Sequence, residues 1–308
     1  MKIDRENLKG HLAAFTANAI FGLNLNVSKS LLGSLWMTPL GFTYTRMFFG
    51  VLIFTVLSFF TAKEKINRRD LLFMAAGGIT GMAFAQLAFS VGIRFVSPVT
   101  WSFIATLSPI MVLLLSALFL KDVISPKKIL GVLIGISGAV ILVLQGRSGE
   151  EGASNSILGI CIALFSVASY AFYLIIIRKS SIKYAPITMM KWMFLFAFMF
   201  LSPFCIPELP KQRLFTSEVT VLPVLQLGYS IVFSSVIAFS LMSVAIKRIK
   251  ATTASMYMNV QPLAASTAAI IIGQDVFSWD KPLVLLLIFV GVFIVTRSDS
   301  NPKQLKAK

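Results

Sequence analysis

Residues 106–122 read TLSPIMVLLLSALFLKD, and residues 259–275, 153 positions later, read NVQPLAASTAAIIIGQD. In each, a proline interrupts an apolar stretch that closes on a polar residue and an aspartate. The offset aligns Thr106 with Asn259, Pro109 with Pro262 and Asp122 with Asp275. The register extends outward to Arg94 with Lys247, Leu130 with Leu283 and Gly138 with Gly291, over about fifty residues without a gap. A weaker match near offset 149 pairs Ala14 with Ala163, Ala19 with Ala168 and Lys29 with Arg178. One structural unit is therefore written twice in this chain.

The solvent of that unit follows from composition. Of 308 residues, 57% are hydrophobic and 13% charged, against about a quarter charged in soluble domains. A hydrocarbon core of about 30 Å needs roughly 20 apolar residues in a helix. Ten such runs are read at 10–32, 38–60, 70–93, 97–119, 128–145, 157–177, 186–206, 221–246, 251–273 and 281–296. The longest connection between them, residues 207–220, is too short to hold a soluble domain, so function is expected inside the membrane. Five runs fall in each copy. Because five is odd, the second copy must enter the bilayer from the opposite side. The expected fold is an all-α integral membrane protein with ten transmembrane helices as two inverted-topology five-helix repeats. Residues 1–146 form the first, 157–297 the second, and 298–308 a cytoplasmic tail.

The formal net charge of +16 would suit a nucleic-acid partner, but its distribution explains it otherwise. With the N-terminus inside, 20 of the 28 lysines and arginines lie in cytoplasmic segments, five in opposite loops, and Lys29, Arg46 and Lys191 in the runs themselves. This bias orients membrane helices. Both termini are expected in the cytoplasm, the chain in the inner membrane, and no nucleic acid as partner. The first run reads as a span rather than a cleavable leader. Cys161 and Cys205 stand in apolar runs and make neither a disulfide framework nor a metal site; no cofactor or metal is expected.

Polar side chains in hydrocarbon are costly unless they face protein or water. Asn18, Gly22, Asn26 and Lys29 recur at helical spacing along one face of the first run, and Thr252, Ser255, Asn259, Pro262 and Ser266 along one face of the ninth. Ser102, Thr106 and Pro109 occupy the matching positions of the fourth. Pro109 and Pro262 lack an N–H, so they release the carbonyls of Ala105 and Met258 and kink their helices. The substrate-binding candidates are Asn18, Asn26, Lys29, Arg46, Gln86, Trp101, Thr106, Tyr229, Tyr257, Asn259 and Gln261. Pro109 and Pro262 are read as hinges, and Asp122 and Asp275 as gate or span-end pairing residues. Lys29 and Lys191 stand near enough to run ends to snorkel. Arg46 stands about 12 Å deep at about 1.5 Å per residue and is the leading charged candidate. Gly77/Gly81 and Gly131/Gly135 read as close-packing pairs. No carboxylate stands mid-run, so weak or no proton coupling is expected, with uniport or exchange.

Phe21-Gly22-Leu23-Asn24 followed by Lys29, Arg46 in the second run, and the two proline helices ending in Lys121-Asp122 and Gln274-Asp275 resemble the drug/metabolite transporter superfamily, in its ten-helix EamA-like branch. Phe21 replaces the usual Trp of that pattern, and Asp122 and Asp275 replace the usual Glu. The resemblance implies a secondary transporter working by alternating access around a central site. That site would be contacted by the first, third, fourth, sixth, eighth and ninth spans. Family substrates include amino acids, nucleotide sugars, amphipathic drugs and other metabolites, and export is the family's tendency.

The expected function is transport of a small metabolite, with amino acids or related amphipathic metabolites as first choice. A nucleotide-sugar or organophosphate antiporter is the alternative, favoured if several cations converge on the cavity. No Walker A, HExxH or GxSxG pattern is present, so an enzyme is not expected. A lipid-linked membrane enzyme would need convergent acids, bases or metal ligands that the runs lack. The partners expected are the substrate and the lipid bilayer, with a homodimer as the assembly considered.

Overall fold

The computed structural model describes residues 5–96, 101, 104–145, 157–215, 220–271 and 279–299. Asp275, Gln274 and Ser102 lie outside the described residues. The described elements are helical throughout: α1 (Arg5–Gly33), α2 (Pro39–Ser58), α3 (Arg68–Gly92), α4 (Ser108–Leu120), α5 (Pro126–Gln145), α6 (Ile157–Lys183), α7 (Pro186–Cys205), α8 (Val221–Arg248), α9 (251–271) and α10 (Asp280–Asp299). Local sequence explains several boundaries. Thr38 caps α2, its side chain accepting from Gly41 N at 3.1 Å, and Pro39 opens the helix where its missing N–H costs nothing. Asn67 does the same for α3, accepting from Arg69 N. α4 ends on Lys121 in the left-handed region at φ 55°.

Among the described residues, five helices are long and apolar enough to cross a membrane by length and composition: Pro39–Ser58, Arg68–Gly92, Ile157–Lys183, Pro186–Lys211 and Val221–Arg248. Among the other segments read as spans, α1 is more polar and α4 and α9 are interrupted. α1 has 29 residues but carries Asn18, Asn24, Asn26 and Lys29. A turn at 106–107 separates α4 from the residues before it, and a 3-10 turn at Tyr257–Asn259 breaks α9. Both breaks fall just before the prolines. Large apolar side chains such as Leu72, Leu118, Phe204, Leu225 and Phe293 face outward, as on a surface bathed in lipid rather than water.

Packing follows a regular scheme. α1 lies against α8 and α9, and α6 lies against α3 and α4; α2 pairs with α7, α5 with α10, and α4 with the start of α9. Individual contacts recur at the same offsets. A Cβ added at Gly10 would stand 2.8 Å from Arg248 Cβ and 2.9 Å from Ile249 Cγ2; one added at Gly159 would stand 2.7 Å from Phe95 Cβ and 2.8 Å from Val96 Cγ1. α5 and α10 touch backbone to backbone, Gly131 and Gly135 against Gly291. Small residues allow this close approach, which in lipid substitutes for a hydrophobic driving force.

Candidate functional site

α3 and α8 each contain a π-helical segment, Gly78–Phe84 and Ser230–Ala238. Such i→i+5 turns are rare and concentrate at functional sites, because the extra residue re-aims the side chains that follow. Here the Ser235 hydroxyl donates to the Ser230 carbonyl five residues back, at 3.0 Å. The two segments flank a cavity of ≈ 90 Å³. Its aromatic lining is Phe21, Phe89, Trp101 and Tyr170; its polar lining is Asn24, Gln86, Ser166, Ser234 and Gln261. Ala105 and Met258, each four residues before a proline, also line it, as does Pro262. An apolar cavity with few convergent polar groups suits a small amphipathic ligand.

Behind one wall lies Arg46, fully buried. Its Nε donates to Ser235 Oγ at 2.9 Å, one terminal nitrogen to Gln86 Oε1 at 3.0 Å, and the other to Ser234 Oγ at 3.2 Å. Its Cζ stands 5.2 Å from the centre of the Phe42 ring. Ser230 Oγ donates to Asn24 Oδ1 at 2.8 Å, and Asn24 Nδ2 donates to Ser28 Oγ at 3.1 Å. This network joins α1, α2, α3 and α8. The cavity also rests on packed rings: Phe21 meets Phe239 at 5.2 Å between centroids, Tyr170 meets Tyr173 at 5.3 Å, and Phe239 meets Phe194 at 5.9 Å.

The residues singled out by sequence divide between lining, support and elsewhere. Gln86, Trp101, Gln261 and Pro262 line the cavity, and Arg46 supports its wall. The first-run stripe expected to face a cavity is turned onto α9 instead. Asn18 Oδ1 accepts from Gln261 Nε2 at 2.9 Å, a Cβ at Gly22 would overlap the Gln261 backbone, and Asn26 Nδ2 donates to the Ala265 carbonyl at 3.1 Å. Lys29 is exposed. Thr106 and Asn259 are buried at the two helix breaks without lining the cavity, and both amide atoms of Asn259 lack a partner among the described residues. Tyr257 reaches His11 at 3.0 Å, and Tyr229 donates to the Ile20 carbonyl at 3.3 Å. Pro109 is buried in α4. Asp122 keeps a backbone bond to Ser116 and forms no ion pair among the described residues. Lys191 donates to Ser58 Oγ at 3.1 Å.

Phe21, Asn24, Ser166, Tyr170, Ser234 and Met258 are also among the lining residues. Spacing held a signal for the first two: residues 21, 24 and 25 share a face of α1 rotated from the 18/22/26 stripe. No such signal distinguishes Ser234 from a packing serine.

The end of the molecule opposite Gly33 and Gly92 is tied by polar contacts. Arg248 Nε meets Glu6 Oε2 at 3.0 Å, Lys183 Nζ meets Asp70 Oδ2 at 3.0 Å, and Ala185 N donates to Glu64 at 3.1 Å. Arg178 donates to the carbonyls of Ile246 and Ile249. The Lys9 hydrogen bond holds the Glu6 carboxyl below its ordinary range, and the bond to Asp70 raises the Tyr184 phenol.

One family model, that of the EamA-like transporters, matches residues 8–144 and again 157–297. The chain belongs to the EamA-like transporter family. This EamA-like protein is 19% identical over 301 residues to the uncharacterized transporter YetK of Bacillus subtilis (strain 168), covering 97% of this chain and 90% of that one. It is 22% identical over 291 residues to the uncharacterized transporter YyaM of the same organism, covering 92% of each. A probable terminal-alkyne amino-acid exporter of Streptantibioticus cattleyicolor is 25% identical over 234 residues, 74% of each chain. A solved crystal structure at 19% identity superposes with a TM-score of 0.73 over 95% of this chain and 99% of its own, which shows a shared fold. The EamA-like chain is a multi-pass membrane protein, and its family and relatives are transporters rather than enzymes.

Proposed function

We propose that this EamA-like protein is a secondary transporter of small amphipathic metabolites, amino acids first among them, working by alternating access across the inner membrane with both termini cytoplasmic. The observation that carries this reading is the composition of the cavity wall. Both halves contribute to it, and Ala105 and Met258, 153 residues apart, bring the two helix breaks to it. Ten spans as two inverted five-helix repeats would let the halves exchange conformations around that site. The helix pairing, which maps onto itself when the halves are exchanged, supports this architecture.

The same wall argues against a nucleotide-sugar or organophosphate substrate. Several converging cations would be needed, whereas the described lining carries none and a single arginine stands behind it. Amino acids and export agree with the name of the Streptantibioticus relative. Counterflow in proteoliposomes tests the reading. Vesicles are preloaded with a mixed amino-acid pool, and tracer amino acids are added singly outside at fixed pH. Tracer accumulation without any imposed gradient is the expected result. Absence of accumulation for every amino acid would overturn the substrate assignment.

A further inference from the structure

Arg46 presents a problem that the transport reading leaves open. The cation is fully buried, and each of its bonded partners is neutral: two serine hydroxyls and an amide. A guanidinium buried without a counter-charge is expensive where water does not screen it. A cradle of neutral acceptors returns only part of that cost.

The bonding also sets the polarity of the cavity wall. The acceptor of an arginine bond must be the amide oxygen, so Gln86 commits Oε1 to Arg46 and keeps its Nε2 hydrogens undonated among the described residues. Ser234 likewise accepts from Arg46 with Oγ and makes no donation of its own there. Both residues line the cavity. The wall therefore presents two donors, each polarised by the same buried cation, and no Asp or Glu among the described lining residues offsets that field. Phe21, Phe89, Trp101 and Tyr170 supply the rest of the enclosure.

Building on the transport reading, we propose that the Gln86–Ser234 wall, charged from behind by Arg46, is a carboxylate subsite, and that the transported metabolites carry one carboxylate on an apolar or aromatic body. The substrate carboxylate accepts from Gln86 Nε2 and Ser234 Oγ and supplies the missing counter-charge, while the body lies among the rings. One cation matches one negative charge, so a phosphomonoester is a poorer fit than a carboxylate.

The test measures binding to the full chain in nanodiscs of neutral phosphatidylcholine, by calorimetry, with matched probes. These are L-phenylalanine against L-phenylalaninamide, hydrocinnamate against hydrocinnamamide, and phenyl phosphate. The acid of each pair is expected to bind at least about tenfold tighter than the amide, as a weakly screened charge pair implies. Gln86→Glu keeps an oxygen for Arg46 and cancels its charge locally, so acid and amide should then bind within about twofold of each other. Arg46→Lys keeps the charge and should retain part of the preference. The assignment is overturned if wild type binds acid and amide alike, binds neither acid, or prefers phenyl phosphate. It is also overturned if Gln86→Glu, folded by its melting curve, discriminates as wild type does. Binding without counterflow would refute the transport reading and leave the subsite standing.

Discussion

The two ends of the central packing use equivalent positions for opposite chemistry. On one side Asn24, Arg46 and Gln86 meet Ser230, Ser234 and Ser235 in a hydrogen-bonded network. At the matching places stand Tyr173, Met193 and Phe239, which lie 149, 147 and 153 residues later. They pack where Gly77 and Gly81 replace Ser230 and Ser234: Met193 against Gly77, the Tyr173 ring against Gly81. A serine accepts a guanidinium, and a glycine makes room for a ring. The lesson is that a duplicated backbone need not carry a duplicated site, because a few substitutions at matched positions make one side polar and the other a hydrophobic plug.

The bluntest way to break this comparison is to push α1 off α9, since both sides depend on that contact. Gly22→Leu would drive a side chain into the Gln261 backbone, whose Cα is only 2.9 Å from a Cβ at Gly22. The expected result is a loss above about 4 kcal/mol, seen as little or no monodisperse protein by size exclusion. Next comes the matched pair Arg46→Ala and Met193→Ala. The arginine change should cut counterflow more than about tenfold by emptying the network. The methionine change should cost about 2–5 kcal/mol of stability while leaving acid-over-amide preference intact. Equal functional losses in both would show that the two sides are not chemically distinct.

Smaller effects sharpen the contrast. The Tyr173 hydroxyl is buried without a partner among the described residues, so Tyr173→Phe should raise the melting temperature slightly, by up to about 1 kcal/mol of stability. Asn24→Leu removes the acceptor of Ser230 and should lower both stability and uptake. Least of all is Glu6→Gln, at the solvent-exposed contact with Lys9 and Arg248. The folded carboxyl is held below its ordinary range, so its contribution is present above the unfolded pKa and fades as pH falls through the folded one. The variant should flatten that acid-side dependence in a melting series, with its small loss of stability greatest near neutrality and vanishing at acid pH.

Legibility in the sequence followed energetic cost. Arg46 was readable because an ionisable group deep in an apolar run is too expensive to be incidental, and the two prolines because their backbone consequence is local. Gln86, Trp101 and Gln261 were readable as polar or amphipathic groups in apolar surroundings. Ser166, Ser234 and Ser235 were not, since a hydroxyl in a membrane helix can bond its own backbone cheaply. The Asn18/Gly22/Asn26 stripe shows a different limit. Its periodicity named a face of α1, but the neighbour on that face is α9, and the cavity lies on the adjoining face with Phe21 and Asn24.

By itself the sequence determined the solvent, the all-helical class, the family and the duplicated proline helices, because hydropathy, charge bias and repeat register are properties of residues in order. Tertiary structure alone decided that Arg46 has only neutral bonded partners among the described residues, that it stands behind the cavity wall, and that the site also rests on aromatic packing. Those facts depend on which helix faces meet, and in lipid, where apolar packing against a neighbouring helix and against lipid tails is nearly equivalent, one-dimensional periodicity does not say which neighbour a face will choose.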